Sequence, residues 1–321
     1  MKKQTRAIVF FFIIGVLALV TVSCSGNQTK GIEVWNDAES TVSEERLPEI
    51  TMTPTPIPTP MSTPAPTPAM FEHKLVAHAL GGIDGYTYLN SKEGCEDSYS
   101  KGMRFIETDL FLSADGALIC SHGFKKADVE RMGIAELTVG TPPESAVWDK
   151  MRFFETYSTA DGDDILYYLE TYPELYFEFD MRSLKGEDAY RMARAVVDKF
   201  GKDSEIFQRI LIQVYSIEMY EIFKEVYDFP VIQFYLTESY CKEIDTYIDF
   251  CKSHDIVSVA VSDSYVTDEI LDKLRNSGIK ILVHTIDDVQ KAEDYLEKGV
   301  TVICTNHLYM EADGTIRSKL D

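Results

Sequence analysis

Basic residues are scarce in this chain: 31 Lys and Arg stand against 53 Asp and Glu, a formal net charge of −22 at pH 7. Between Phe71 and Asp321 the balance is 26 against 47. A field of that sign repels polyanions, which argues against nucleic acid as a partner and against electrostatic adsorption to anionic lipid. Cysteine is also sparse. Beyond Cys24 there are Cys95, Cys120, Cys241, Cys251 and Cys304, with no zinc-ligand spacing among them. They read mostly as core thiols, and their odd number excludes complete pairing within one chain. Long apolar runs are missing too. Ala7 to Val20 covers fourteen residues, short of the roughly 20 that span a bilayer.

What that short run does fit is a signal-peptide core, because Lys2, Lys3 and Arg6 precede it and small residues follow. The sequence Thr21-Val-Ser-Cys24-Ser-Gly26 resembles a bacterial lipoprotein processing site, with Cys24 as the lipidated first residue. Export and attachment to the cell membrane through a lipid on Cys24 are therefore expected, with simple secretion or an uncleaved anchor as the alternative. Residues 1–23 read as the signal peptide and 24–70 as a disordered Pro/Thr-rich linker, containing Thr51-Met-Thr-Pro-Thr-Pro-Ile-Pro-Thr-Pro60. Closely spaced prolines favour polyproline II, a semi-rigid spacer extending about 3.1 Å per residue.

Residues 71–321 read as one domain, 251 residues long, close to the roughly 250 typical of an eight-stranded α/β barrel. Short apolar runs alternate with helical patterns. Lys74–Ala79, Met103–Leu110, Leu175–Arg182, Ile210–Tyr215, Val231–Leu236, Val257–Ser262, Lys280–Thr285 and Val300–Thr305 read as strands. Glu187–Phe200, Ile217–Tyr227 and Asp287–Lys298 are among the helices between them. The alternation predicts a parallel sheet, and eight repeats allow a (β/α)8 TIM barrel with an insertion between His122 and Tyr172. An open doubly wound sheet is the alternative. Trp148, Phe153, Phe154 and Tyr157 of the insertion suit a packed cap or an apolar wall beside a ligand.

Barrel enzymes carry their chemistry at the C-terminal ends of strands. The polar residues there include His78, Glu107, Asp109, Asp180, Arg182, Gln213, Gln233, His284 and Asn306. A polar strand end is often no more than a satisfied structural group, a reading that suits Gln213, Gln233 or Asn306 taken singly. Glu107 and Asp109 are different. Two residues apart on a strand, their side chains share a face and can grip a hard cation. The turn at Ser113 to Gly116 predicts a hairpin that returns Ser121-His122 toward them, and His78 ends the first strand. A metal flanked by two histidines is the pattern that emerges.

His78, Asn90-Ser-Lys-Glu93, Phe105-Ile-Glu-Thr-Asp109, Ser113-Ala-Asp-Gly116 and Ser121-His122 together resemble the glycerophosphodiester phosphodiesterases. Lys280–Asp288 and Lys298–Asn306 resemble that family's last two strands, so the likeness runs from about Leu75 to Asn306. The resemblance implies Glu107 and Asp109 as metal ligands with a third carboxylate from the third strand, Asp180 or Glu178. Asp180 followed by Arg182 fits the family pattern of an acid two residues before a cation. An all-oxygen site suits Ca²⁺ or Mg²⁺ rather than zinc. His78 is implied as general base and His122 as general acid, with Arg182, Asn90, Gln213 and His284 around a small phosphodiester substrate. Phospholipase C-like activity, or a catalytically weak ligand-binding lipoprotein, are the other functions this scaffold allows. Three positions depart from the family: Ala79 where His-Arg is usual, Gly123 where His-Asp is usual, and Asn306 in place of Asp. A subgroup with His-Ala and Gly-Gly at the first strand is the nearest pattern.

Overall fold

The computed structural model describes residues 67–201 and 205–321. The expected signal peptide, Cys24 and the linker as far as residue 66 lie outside those residues. The linker does not run to Met70 as expected. Ala69–Glu72 forms a 3-10 turn in which Met70 is fully buried, because it closes the N-terminal end of the barrel with Phe71 against Val76, Phe105, Leu211 and Leu282.

In chain order the strands are β1 (Leu75–Ala77), β2 (Phe105–Leu112), β3 (Leu118–Cys120), β4 (Arg152–Phe153), β5 (Tyr157–Ser158), β6 (Tyr176–Asp180) and β7 (Ile210–Val214). They continue with β8 (Ile232–Leu236), β9 (Ser258–Ser262), β10 (Lys280–His284), β11 (Val302–Thr305), β12 (Leu308–Met310) and β13 (Ile316–Ser318). Strands β1, β2 and β6 to β11 are parallel neighbours, and pairing of β1 with both β2 and β11 closes the barrel. The closed sheet excludes the doubly wound alternative. Each predicted strand is present with ends shifted by no more than two residues. His78 and Ala79 belong to a 3-10 turn, His78–Leu80, rather than to β1.

Helix α1 (Lys92–Ser100) starts where Ser91 Oγ accepts the Gly94 N–H, an N-cap of the expected kind. Next come α2 (Lys126–Met132), α3 (Ser145–Trp148), α4 (Gly162–Thr171) and α5 (Gly186–Phe200). The remainder are α6 (Ile217–Val226), α7 (Glu238–Lys242), α8 (Ile244–Ser253), α9 (Asp268–Ser277) and α10 (Val289–Glu297). The predicted hairpin is present: β3 pairs antiparallel with the end of β2, Leu110 opposite Cys120. The insertion is a packed cap with its own apolar cluster, in which Trp148 and Phe153 are fully buried with Leu89, Ile119, Phe124 and Met132. The five cysteines beyond Cys24 are buried free thiols.

The Gly81-Gly82 pair has a steric cause. A Cβ at Gly81 would collide with Ser98 Oγ, and Gly81 holds φ +96°; a Cβ at Gly82 would lie 2.8 Å from the Asn306 carbonyl oxygen. Helix α1 and the β11 loop thus press directly on the backbone that follows His78. Gly82→Ala is expected to cost about 1–3 kcal/mol through overpacking, or about 2–4 °C in melting temperature per kcal/mol for a domain this size. A thermal melt checks it, and an unchanged midpoint would show that the loop yields.

Candidate active site

Strand β2 turns Glu107 and Asp109 inward, and its parallel register with β6 sets Glu107 opposite Glu178 and Asp109 opposite Asp180. Oxygens of Glu107, Asp109 and Asp180 lie within 4.8 Å of one another. Each carboxylate is held. Glu107 Oε2 accepts from the Ala79 N–H at 2.6 Å, and Asp109 Oδ2 accepts from Asn90 Nδ2 at 2.9 Å. Asp180 accepts from its neighbour's Arg182 N–H and from the Tyr215 hydroxyl, both at 2.7 Å. Glu178 stands outside the set, two residues nearer the N-terminal end of β6, where Gln233 Nε2 donates to it at 2.6 Å.

Ionisation of Glu107, Glu178 and Asp180 is opposed in so confined a site. Burial first, then the charges of Asp109, Asp180 and Glu178, hold the Glu107 carboxyl well above its usual range. Burial and the Asp180 charge push Glu178 up to about 8, and burial with the Asp109 charge raises Asp180. Glu107 Oε1 and Glu178 Oε2 are buried without a hydrogen-bond partner. Converging oxygens, excess negative charge and an orphaned ligand atom on Glu107 fit a hard divalent cation.

The two histidines differ in their partners. His78 Nδ1 lies 2.8 Å from Asn306 Oδ1. Asn306 Nδ2 donates to Asp287 Oδ2 at 2.7 Å, which turns the amide oxygen toward the ring. His78 Nδ1 then donates to that oxygen, and the Nε2 edge lies 4.0 Å from Glu107 Oε2. His122, two residues beyond β3, donates from Nδ1 to Asp128 Oδ1 at 2.7 Å. Burial resists ionisation of Asp128, but the hydrogen bond and charge of His122, with Arg182, hold its carboxyl below the usual range.

Arg182 donates through Nη1 to the His122 carbonyl oxygen at 2.6 Å and lies 3.9 Å from Asp128. A Cβ at Gly123 would come 3.0 Å from Arg182 Nη1 and 3.4 Å from Asp128 Oδ2. A larger residue beside His122 would therefore crowd both groups. Between the histidines sits Tyr88, edge-on to His78 at 4.4 Å and to His122 at 5.4 Å, with the Arg131 guanidinium 4.4 Å over its ring.

His284, at the end of β10, is half-buried; desolvation and then His78 lower its pKa to about 4, and its buried Nε2 has no hydrogen-bond partner. Its ring lies 5.3 Å from Tyr235, which stacks at 4.5 Å on Tyr215. An aromatic arc thus connects His284 to the hydroxyl that holds Asp180.

Two residues expected at the substrate are engaged within the protein. Asn90 is fully buried: besides donating to Asp109, it accepts from Thr108 Oγ1 and the Asp109 N–H. Gln213 is buried and occupied by the Tyr215 hydroxyl and Gln233. Both hold other residues of the site in place. His73 packs at a tilt against Tyr176 at the opposite end of β6, and His254 packs on Tyr220 and Phe250 among the outer helices. The sequence reading missed Tyr88, Asp128 and Asp287. Asp287 could have been noticed just beyond the seventh strand, but neither Tyr88 nor Asp128 has a spacing that marks it.

Acids at the mouth of a parallel barrel and two histidines beside them define a metal-capable hydrolase type of site. Residues 82–310 match the glycerophosphoryl diester phosphodiesterase family. The chain belongs to that family of phosphoric diester hydrolases. Several solved structures share the fold. A glycerophosphodiester phosphodiesterase from Thermotoga maritima is 15% identical, with a TM-score of 0.56 over 73% of this chain and 95% of that one. A second, from Parabacteroides distasonis, is 16% identical, with a TM-score of 0.56 over 73% and 92%. A phosphodiesterase from Oleispira antarctica, in complex with the product sn-glycerol-3-phosphate, is 13% identical, with a TM-score of 0.58 over 73% and 93%. None of the curated proteins matches this chain significantly.

Proposed function

We propose that this protein hydrolyses glycerophosphodiesters, or related polyol-phosphate diesters, with a divalent cation, Ca²⁺ or Mg²⁺, held by Glu107, Asp109 and Asp180. The observation that carries the reading is the meeting of those three carboxylates with the free Nε2 edge of His78 at one barrel mouth. Product bound to the Oleispira protein supports the substrate class. When bound, the cation supplies charge neutralisation for a phosphodiester.

The chain's own groups do the rest. His78 Nε2 takes the proton of the attacking hydroxyl, either the substrate's neighbouring glycerol hydroxyl or water. His122 Nε2 returns a proton to the departing alcohol oxygen. Arg182, tied to the His122 carbonyl by one nitrogen, has further N–H groups for a phosphate oxygen. His284 and the tyrosine arc shape the wall against the alcohol. Membership of the His-Ala, Gly-Gly subgroup is part of the proposal, with Ala79 using its backbone N–H on Glu107 where a side-chain cation is absent.

Release of glycerol phosphate from a panel of glycerophosphodiesters tests this reading. Activity is expected to vanish with chelator and return with Ca²⁺ or Mg²⁺; turnover that persists after chelation would exclude the cation. We further propose an extracytoplasmic location through a lipid at Cys24, for which the basic, apolar and small-residue order of the first 26 residues is the support. Cys24→Ser is expected to move the protein from the membrane fraction to the soluble one, and unchanged fractionation would overturn the anchor.

A further inference from the structure

We propose that Asp128, carried by the inserted cap and not by the barrel, is the positioning residue that makes His122 the acid of the pair. The inference rests on the reading of His122 as the proton donor and extends it to the group that sets up the donation.

Three observations converge on Asp128. It is 5% exposed and its Oδ1 accepts the Nδ1–H of His122 at 2.7 Å. Its Oδ2 faces the Arg182 guanidinium at 3.9 Å, and that guanidinium also grips the His122 carbonyl oxygen at 2.6 Å. Helix α2 anchors it, for Oδ2 also accepts the Lys125 N–H at 3.3 Å. His122 is thereby held from its ring and from its backbone by one connected set. His78 has no such arrangement: its Nδ1 partner is the neutral amide oxygen of Asn306.

The difference matters chemically. To act as an acid, His122 must carry protons on both nitrogens before the bond breaks. A carboxylate against Nδ1 neutralises that imidazolium and aims Nε2–H outward. As the P–O bond breaks, its electron pair goes to the alcohol oxygen, which takes the Nε2 proton. His122 is left neutral, its remaining proton on Nδ1 and still donated to the Asp128 carboxylate. On His78 the Nδ1 partner is an amide oxygen instead, which takes a hydrogen bond and leaves the Nε2 edge as the acceptor.

Leaving-group dependence tests this. An alkyl alcohol needs a proton to depart, whereas p-nitrophenolate does not. With metal-loaded protein, Asp128→Asn is expected to lower kcat on glycerophosphocholine by about 10- to 100-fold. On the p-nitrophenyl ester of glycerol phosphate it is expected to change kcat by less than about threefold, with Asp128→Glu restoring most of the loss. The ratio of the two rates in one preparation is independent of how much protein is folded. Should Asp128→Asn fail to fold, the same ratio for Asp128→Ser decides.

His122→Ala is the control. If it shows the leaving-group signature and the Asp128 variants do not, the role of Asp128 is overturned while His122 stands as the acid. If His122→Ala slows both esters equally, the acid assignment falls and this inference with it. Equal losses on both esters in Asp128→Asn, without rescue by Glu, would assign Asp128 to the cap's stability alone.

Discussion

Glu107→Gln is expected to reduce kcat by about 10³-fold or more and, in chelator, to raise the melting temperature. The opposite signs have one cause. Loss of an oxygen from the Glu107, Asp109 and Asp180 set removes charge stabilisation of several kcal/mol, and each 1.36 kcal/mol is about tenfold in rate. Without a cation, the same carboxylate is buried beside three others and its Oε1 has no partner, so a neutral amide relieves repulsion.

The metal-free protein should also gain stability as pH falls. Glu107, Glu178 and Asp180 have raised carboxyls in the folded state, so the native chain binds more protons than the unfolded one. Stability then declines with rising pH through the window from the ordinary 4.5 of glutamate to the value of about 8 for Glu178. Melting temperatures in EDTA between pH 5.5 and 8 check the slope, and Ca²⁺ or Mg²⁺ should flatten it. A melting temperature that rises with pH in EDTA would contradict the crowding of the carboxyls.

His78→Ala is expected to lower kcat by about 10²- to 10⁴-fold, the usual contribution of a general base, for alkyl and aryl leaving groups alike. Its Asn306 partner leaves Nε2 as the acceptor, and abstraction of the nucleophile's proton is needed whichever group departs. Steady-state rates on both esters check this. Loss confined to the alkyl ester would exchange the roles of His78 and His122.

Much of this site could be read along the chain because barrel geometry is periodic. A strand alternates faces, so Glu107 and Asp109 had to project together, as did Glu178 and Asp180. The Ser113–Gly116 hairpin had to return His122 locally. Helix and strand positions followed from apolar periodicity, with errors at the ends where the chain leaves the sheet. His78 is the clearest: its turn is set by the Gly81 and Gly82 contacts with Ser98, His307 and Asn306, and all three are distant in sequence.

Sequence by itself determined the class of fold, the acidic face and the hairpin that returns His122, since each follows from local periodicity and turn chemistry. Tertiary structure decided which carboxylates meet. It separated Glu178 from the oxygen cluster and drew Asn90 and Gln213 into internal hydrogen bonds. It also placed Tyr88 between the histidines and brought Asp128 from the cap to His122. These depend on strand register, on barrel closure and on the packing of the insertion over the mouth. Such long-range contacts are settled by burial and hydrogen-bond satisfaction across the whole domain, and no local pattern records them.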